Sequence, residues 1–473
     1  MTSRTGTTGD GVPLLLAVSS LGAILAPLNS TMVAVALPDI RHEFALSHGA
    51  VAWLISGYLI AMAVAQPLGG RLGDQIGRAR VFRGGLLVFL VLAVATAASP
   101  NFPVLVMLRV AQAAAGAVLI PNGMAMLRAQ APPDRLGRLN GINGAVLSFA
   151  AAAGPLVGAG ILAFGSWRWL FPLSVPFILL ALVLLERVEV REPERLPRTP
   201  VDWVGTSLFI AMLIALTLQL GALRGDASPV QMTLRWSGTL GLAAAFAWRQ
   251  FVTKSPAGEW RLFKERSFAA ASAYILLTNL TMYTTLLMIP FFVRDVLGKS
   301  TEEAGLLLGA MSVLVAVTAP FGGRMSDAIG RRWPAQIGSV LMLIAAIALL
   351  AGLSRTVSAG YLAVCLGLLG LGLGLGVGAA NTAAIESAPP MMAGSAAGTS
   401  SMMRYAGSII GAGILAGVLN DHSGAGGDVS TFRLVTLAVI STAALAVAAS
   451  MFIHRFVTME TIQVPAETMV STT

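Results

Sequence analysis

The sequence predicts an all-α polytopic membrane protein, and three observations support this fold class. Hydrophobic residues make up 56% of the 473 residues and charged residues only 11%, whereas about 25% are charged in soluble domains. Apolar stretches long enough to cross about 30 Å of hydrocarbon recur along the whole chain. Residues 67–78, PLGGRLGDQIGR, recur as PFGGRMSDAIGR at residues 320–331, with eight identical positions at a constant offset of 253. This duplication indicates two related helical halves.

Hydropathy predicts fourteen membrane spans along the chain. The first seven are 13–38, 50–70, 81–99, 102–127, 139–163, 168–186 and 201–222. The other seven are 234–252, 268–292, 303–322, 336–354, 359–380, 394–419 and 432–454. Each has the length that a membrane helix needs at a rise of about 1.5 Å per residue. The span 234–252 is the weakest, because Arg235 and Arg249 lie near its ends.

Loop charge predicts the orientation of these spans, because Lys and Arg are retained on the cytoplasmic side of a membrane. With the N-terminus inside, the cytoplasmic segments hold 21 of the 31 Lys and Arg residues. They include Arg71, Arg78, Arg80, Arg83, Arg187, Arg191, Arg195 and Arg198. An even number of spans returns the C-terminus to the same side. We therefore expect a multi-pass protein of the cell membrane with both termini cytoplasmic.

Several classes of function find no support in the residues. The four histidines have no metal-ligand spacing, and no phosphate-binding loop of the GxxxxGK[ST] type is present. We therefore expect neither an enzyme nor a metal or cofactor site. The net charge of +9 is spread over short loops, so we expect the lipid bilayer, and no nucleic acid, as partner. The glycine run from Gly367 to Gly378 lies within an apolar span and predicts close helix packing.

The duplicated motif joins the second span to the third and the tenth to the eleventh. Its first copy contains Gly70, Asp74, Gly77, Arg78 and Arg80, and its second contains Gly323, Asp327, Gly330 and Arg331. A carboxylate among arginines at a helix end can form ion pairs that latch one end of a two-state protein closed. Each hydrated pair is weak alone. The alternative is that these charges only fix topology and loop structure.

Gly154, Pro155 and Gly158 lie in the fifth span. Glycine removes a side chain and proline removes a backbone donor, so the helix is expected to bend or bond weakly there while packing closely. A bendable interface between the two halves would follow. An ordinary tight helix crossing is the alternative, and these residues alone do not favour either.

Arg109 and Arg404 fall inside apolar spans. A guanidinium there is costly unless it faces a partner or a wet cavity, so both should point inward. Gln112 lies one turn from Arg109 on the same helix face. The two can hold a hydrogen-bond network, relay protons through water or bind an acidic group of a substrate. The alternative for Arg109 is a set of hydrogen bonds to carbonyl groups at a helix break.

These motifs resemble those of the major facilitator superfamily, and within it the fourteen-helix drug:proton antiporter family. Further matches are Leu28-Asn29-Ser30-Thr31 in the first span, Arg109-x-x-Gln112 in the fourth and Trp167-Arg168-Trp169 before the sixth. The resemblance implies two pseudo-symmetric six-helix bundles that alternate in access. They would comprise residues 1–190 and 261–473, with two additional spans in a linker, 191–260. The fifth-span pattern resembles the mark of exporters.

Asn29 departs from the family pattern, in which an aspartate usually occupies this position. Asparagine forms hydrogen bonds but cannot titrate, and no other span carries a carboxylate well inside it, Glu386 being the least certain case. A cavity with Arg109 and Arg404 but without an acid favours neutral or anionic substrates.

Proton coupling is the default that the resemblance implies, although it lacks an obvious residue. Three routes stay open: Asp74, Asp327 or Glu386 titrates, the substrate carries its own proton, or transport is uncoupled.

Further cavity candidates are polar residues of the inward-facing helices. They are Thr31, Gln66, Asn143, Tyr274, Asn279, Tyr283 and Asn381. Buried amides and hydroxyls commonly bridge membrane helices, so helix packing is the alternative for each of them.

We therefore expect a monomeric exporter of small hydrophobic drugs or secreted metabolites, of the multidrug-efflux and antibiotic-resistance type, with protons as coupling ion. An uncoupled facilitator or lipid flippase is the first alternative, because Asn29 replaces the usual acid. A non-transporting membrane receptor is the second, and it gives no reason for two copies of a gating motif.

Overall fold

Helices occupy the predicted spans in order. A computed structural model describes residues 11–132, 136–188, 190, 202–222, 228–253, 260–389, 392–419 and 428–454. The first part of the chain forms α1 (Gly11–Glu43), α2 (His48–Ile76), α3 (Arg78–Ala97), α4 (Phe102–Ala117), α5 (Leu119–Gln130), α6 (Leu136–Phe164) and α7 (Ser174–Glu186). The fourth predicted span consists of α4 and α5, which are interrupted only at Val118. The predicted loop residues Arg191, Arg195 and Arg198 lie outside the described residues.

The rest of the chain is also helical within the described residues. Its helices are α8 (Trp203–Gly221), α9 (Pro229–Val252), α10 (Arg266–Phe291), α11 (Thr301–Ile329), α12 (Arg332–Gly352), α13 (Ala359–Glu386), α14 (Ala393–Leu419) and α15 (Val429–Ser450). A π turn, Phe292–Val296, extends α10. Short 3₁₀ turns, Trp167–Leu170 and Trp260–Lys264, precede α7 and α10.

Twelve helical segments within the described residues are long and apolar enough to cross a membrane. The remaining two predicted positions are occupied by α6 and by α9, which carries Arg235 and Arg249. Large apolar side chains face outward, as on α3, where Val91 is 67% exposed. Such a surface suits lipid rather than water. The predicted all-α polytopic fold class is confirmed.

Helix ends are set by local residues. Ser47, Asn101 and Ser358 each accept a hydrogen bond from the backbone N–H three residues further on and so cap α2, α4 and α13. Gly77 ends α2 with a φ of 109°, and Gly330 ends α11 with a φ of 94°. Residues with a Cβ rarely adopt such angles, which explains why both copies of the duplicated motif carry glycine here.

Glycines of α13 allow close helix packing. A Cβ on Gly370 would lie 2.1 Å from the carbonyl oxygen of Met311 on α11, and one on Gly372 would lie 2.4 Å from that of Gly338 on α12. Because real Cβ atoms do not approach oxygen so closely, these backbones touch only without side chains. The packing role predicted for the glycine run is confirmed.

We call α1–α7 the N-half and α10–α15 the C-half. The halves meet chiefly where α1 contacts α10, α2 contacts α14 and α6 contacts α11. In addition, α8 packs against both α2 and α14, and α9 packs against α8. The two additional helices therefore stand beside one seam between the halves.

Candidate functional site

Arg109 of α4 is fully buried. Its Nη1 donates to Gln112 Oε1 at 2.7 Å, as their spacing predicts, and its Nη2 donates to the backbone carbonyl oxygen of Asn29 at 3.4 Å. The guanidinium carbon lies 4.1 Å from the centre of the Tyr58 ring, where a desolvated cation gains about 2 kcal/mol. Among the described residues no carboxylate pairs with Arg109. Dipoles and an aromatic face therefore hold this charge.

The middle of α1 connects α4 to the C-half. Asn29 is only 1% exposed, and neither its side-chain nitrogen nor its side-chain oxygen has a partner within the described part of the chain. The hydroxyl of the next residue, Ser30, lies 2.9 Å from that of Tyr283 on α10. Thr31 Oγ1 donates to the carbonyl oxygen of Pro27 at 3.0 Å. The Asn29 side chain thus lies unsatisfied near both Arg109 and the contact between the halves.

A second embedded guanidinium lies in the C-half. Arg404 Nη2 donates to Asn381 Oδ1 at 2.7 Å, and Asn381 Nδ2 donates to the carbonyl oxygen of Val377 at 2.9 Å. The Arg404 Nε is buried without a partner in the described residues. Every described aspartate and glutamate lies between helices or within about one turn of a helix end. The middle of the bundle therefore carries two embedded cations and no described acid.

Other predicted cavity residues mostly connect helices. Asn143 of α6 donates to Ser19 Oγ of α1 at 2.9 Å, and the Tyr274 hydroxyl of α10 donates to the carbonyl oxygen of Ala335 on α12 at 3.1 Å. Asn279 Nδ2 donates to its own helix, at the carbonyl oxygen of Ile275. Gln66 is half-buried on α2. For Asn143 and Tyr274 these bonds are those of helix packing.

Three described ion pairs of the duplicated motif, Asp74–Arg78, Asp327–Arg331 and Glu386–Arg331, each stay within one half. Asp74 pairs with Arg78 across the turn between α2 and α3. In the second copy, Arg331 Nη1 donates to Asp327 Oδ1 at 2.6 Å. Its Nη2 and Nε donate to the two carboxylate oxygens of Glu386, the last residue of α13, at 2.7 and 3.0 Å. The Glu386 carboxylate raises the pKa of Arg331, and the Asp327 carboxylate raises it further by a smaller amount. These pairs fix the local turns, and they place Glu386 at the helix end rather than in the middle of the bundle.

The remaining motif residues are less constrained. A Cβ on Gly70 would meet Pro121 at an ordinary 3.6 Å, and one on Gly323 would meet open space. The exposed Arg80 donates to the carbonyl oxygen of Ile76 at 3.4 Å.

The glycine–proline segment of α6 is packed on two sides. A Cβ on Gly154 would lie 2.9 Å from the backbone nitrogen of Met32 on α1, and one on Gly158 would lie 2.9 Å from its carbonyl oxygen. On another face, a Cβ on Gly305 of α11 would lie 3.1 Å from the carbonyl oxygen of Pro155. The segment is thus sandwiched between its own half and the other half.

Sequence reasoning missed the partners that complete these contacts. Tyr58 and Ser30 were not among the candidates, although a membrane-embedded cation without an acid calls for an aromatic face. Asp39 and Asp295 lie near helix ends, and both form ion pairs with arginines of the opposite half. No local pattern signals such long-range pairs.

Comparison with known proteins gives a matching family model, two similar relatives and one similar solved structure. A family model described as Major Facilitator Superfamily matches residues 19–412 and 275–461. The chain is 30% identical to the multidrug resistance protein Stp of Mycobacterium tuberculosis, over 86% of this chain and 75% of that protein. It is 29% identical to the tetracenomycin C resistance and export protein of Streptomyces glaucescens, over 88% of this chain and 77% of that protein. A crystal structure of a D-xylose–proton symporter is similar at a TM-score of 0.66 and 16% identity, covering 95% of this chain and 98% of that one.

Proposed function

The chain belongs to the major facilitator superfamily, and from this premise we propose that it exports hydrophobic drugs or secreted metabolites across the cell membrane by alternating access, driven by proton antiport. It is a multi-pass transporter and not an enzyme. The names of two relatives, a multidrug resistance protein and a resistance and export protein, support the direction of transport. We take the protein to act as a monomer with both termini cytoplasmic.

Residues 1–190 and 261–473 are proposed as the two rocking bundles, with the linker 191–260 contributing α8 and α9. The observation that carries this proposal is the position of Gly154 and Pro155. They lie where α6 touches both α1 of its own half and α11 of the other half. A helix without a side chain and without a backbone donor at adjacent positions is able to adjust as two bundles change their angle.

We propose that the substrate is neutral or anionic. Arg109 and Arg404 place two positive charges in the middle of the bundle, and no described acid balances them there. Arg109 is already enclosed by Tyr58 and Gln112. Arg404 is only partly buried and has an unsatisfied Nε, so it is the better candidate to meet a substrate carboxylate or phenolate.

Proton coupling has one observation against it, which keeps an uncoupled facilitator or a lipid flippase as the second candidate. The residue at the usual acidic position, Asn29, cannot titrate. Its unsatisfied side chain and its backbone contact with Arg109 indicate that an acid here would meet a cation. Asp74, Asp327 and Glu386 at the helix ends, or the substrate itself, are the coupling groups that we propose instead.

The test measures uptake of cationic, neutral and anionic compounds into everted membrane vesicles, with and without a protonophore. Three proteins are compared: the parent, Asn29→Asp and the control Asn29→Leu, which has similar size but cannot titrate. Protonophore-sensitive uptake by the parent supports proton-driven export. Insensitive uptake by the parent that becomes sensitive only in Asn29→Asp supports a facilitator that lacks its coupling acid. Preferred uptake of cations by the parent would contradict the proposed substrate charge.

A further inference from the structure

The guanidinium of Arg109 is enclosed in the N-half with most of its donors unused. Arg109 is 0% exposed. A guanidinium carries five N–H donors, and the described residues offer it two acceptors, Gln112 Oε1 and the backbone carbonyl oxygen of Asn29. Its Nε has no partner within the described part of the chain. The cation therefore has neither a carboxylate nor a full set of acceptors among the described residues.

Two side-chain amides beside Arg109 add further unused groups. Gln112 is 0% exposed and Asn29 is 1% exposed. Gln112 Oε1 accepts from Arg109, which fixes the orientation of this amide, and its Nε2 is buried without a partner in the described residues. The same holds for Nδ2 and Oδ1 of Asn29. Because Arg109 bonds to both residues, these groups lie within about one side-chain length of the guanidinium.

The unused groups around Arg109 are mostly donors. Three nitrogens, Arg109 Nε, Gln112 Nε2 and Asn29 Nδ2, stand against one oxygen, Asn29 Oδ1, as buried atoms without a described partner. A buried polar atom that forms no hydrogen bond is destabilising, so this excess of donors calls for an acceptor. An anion can accept from several donors at once and also supplies a negative charge. Opposite charges attract more strongly in a protein interior than in water, which favours an anion over a neutral water molecule.

The surroundings of these donors favour a small ion over a drug-sized molecule. The rings of Tyr58 and Phe171 lie 4.1 and 5.5 Å from the guanidinium carbon of Arg109, so aromatic rings already occupy part of its surroundings. Arg109, Gln112 and Asn29 are each at most 1% exposed. A large substrate therefore cannot reach them in this conformation.

We propose that the N-half binds one small monovalent anion, such as chloride, between Arg109, Gln112 and Asn29. The ion accepts hydrogen bonds from the three unused nitrogens and supplies the charge that no described carboxylate supplies to Arg109. It is a resident ion and not the transported substrate. The proposal therefore does not depend on the direction of transport or on its coupling to protons.

Asn29 decides whether the site needs an anion from solution. An aspartate has nearly the same size, but when ionised it carries a negative charge and only acceptors. At position 29 it would replace the unused donor by an acceptor and balance Arg109 from within the chain. Asn29→Asp should therefore repel a further anion, whereas Asn29→Leu removes one donor without supplying a charge and should only weaken binding.

Arg404 offers a matched control, because it is the second guanidinium in the middle of the bundle. It donates to Asn381 Oδ1 at 2.7 Å, and its Nε is buried without a partner in the described residues. It differs from Arg109 in being only partly buried. Arg404→Gln removes an embedded positive charge from the C-half and leaves the three donors of the proposed site in place.

The test titrates the purified full chain with sodium chloride while sodium gluconate keeps the ionic strength constant. Gluconate is too large for the enclosed site and serves as the reference anion. Thermal unfolding gives the chloride concentration of half-maximal stabilisation, because a ligand that binds only the folded state raises the melting temperature. Retention of radioactive chloride by the same protein measures binding directly. The proteins compared are the parent, Asn29→Asp, Asn29→Leu, Arg109→Gln and Arg404→Gln.

We expect a saturable rise of the melting temperature in the parent and one retained chloride per chain. The half-saturating concentration should increase by about tenfold or more in Asn29→Asp and in Arg109→Gln, and by less in Asn29→Leu. Without chloride, Asn29→Asp should be more stable than the parent. Arg404→Gln should keep the parent's value. If Arg109→Gln does not fold, Asn29→Asp decides, since it keeps the guanidinium.

Three results would overturn the proposal. Equal melting of the parent in chloride and gluconate, without retained chloride, would show that water alone satisfies these donors. A chloride response that is the same in Asn29→Asp as in the parent would place any bound ion elsewhere. Loss of the response in Arg404→Gln, with Asn29→Asp unchanged, would assign the ion to the C-half.

Discussion

Replacing Gly154 with alanine should separate α6 from α1, whereas replacing Gly160 should not. Both glycines belong to α6, so the two variants gain the same helix propensity. A Cβ on Gly154 would lie 1.9 Å from Thr31 Oγ1 and 2.9 Å from the backbone nitrogen of Met32. A Cβ on Gly160 would meet nothing within 4 Å. The pair therefore isolates the effect of close backbone approach.

The magnitude follows from what each neighbour can do. An ordinary contact is about 3.5 Å, so the Thr31 hydroxyl must move by well over an ångström. It can rotate only by giving up its 3.0 Å bond to the carbonyl oxygen of Pro27, at a cost of about 1 kcal/mol. The Met32 nitrogen is backbone and can move only with α1, and overpacking of this kind costs about 1–3 kcal/mol. Gly154→Ala should therefore be less stable than Gly160→Ala by about 2–4 kcal/mol.

Thermal unfolding of detergent-solubilised protein, followed by fluorescence size-exclusion of a tagged chain, measures this difference. Gly158→Ala, whose Cβ would lie 2.9 Å from the carbonyl oxygen of Met32, should fall between the two variants. Vesicle transport measured on the surviving protein tests whether the same contact matters for the cycle. Equal melting temperatures for Gly154→Ala and Gly160→Ala would show that α1 and α6 have more room than the structure indicates, and the reasoning from close approach would be wrong.

Further predictions concern the turns, the additional helices and the embedded cation. Gly330→Ala should lose about 1–3 kcal/mol of stability, because the φ of 94° at this position strains any residue with a Cβ. Gly323→Ala is the control, since a Cβ there would meet open space. Thermal unfolding should show a lower melting temperature for Gly330→Ala and little change for Gly323→Ala. The Arg249 guanidinium holds the pKa of Asp202 below its usual 3.8. Their pair should therefore stabilise the protein fully above pH 3.8 and lose this stabilisation as the pH falls through the lower pKa that Asp202 has in the folded protein. The melting temperature of Asp202→Asn, measured against pH, should not show this loss of stability. Arg404→Gln should lower vesicle uptake of anionic compounds relative to neutral ones by about tenfold, or about 1.4 kcal/mol. Arg404→Lys keeps the positive charge and should retain most of the uptake of anionic compounds. Equal loss of uptake for both compound classes would show that Arg404 does not select the substrate.

The positions of the helices could be predicted from the sequence because a membrane helix satisfies its own backbone and needs only apolar length. The predicted span 359–380 corresponds to Ala359–Glu386, and 303–322 corresponds to Thr301–Ile329. The extra turns at these ends are polar or carry the duplicated motif, so hydropathy does not register them. The turn glycines were equally predictable, since Gly77 and Gly330 serve a local conformation.

The site was predictable only as far as its contacts are local. Arg109 and Gln112 are one turn apart, and their hydrogen bond follows from helix geometry. The Tyr58 ring that faces Arg109 comes from another helix, and so does Ser30 opposite Tyr283. A single sequence carries no record of which helix faces meet. For the same reason, the sequence could not show that Tyr274 bonds the backbone of α12, whereas other predicted residues remain candidates for the cavity.

The duplication nevertheless contains more information than its conserved motif. Positions 253 residues apart have diverged in chemistry between the two halves: Thr301 is equivalent to His48, and Tyr283 is equivalent to Ser30, which it contacts. An exchange between equivalents tests function with a side chain that already occupies the equivalent position in the other half. For a transporter whose α1 lacks the usual acid, such exchanges separate the residues that respond to protons from those that only hold the halves together.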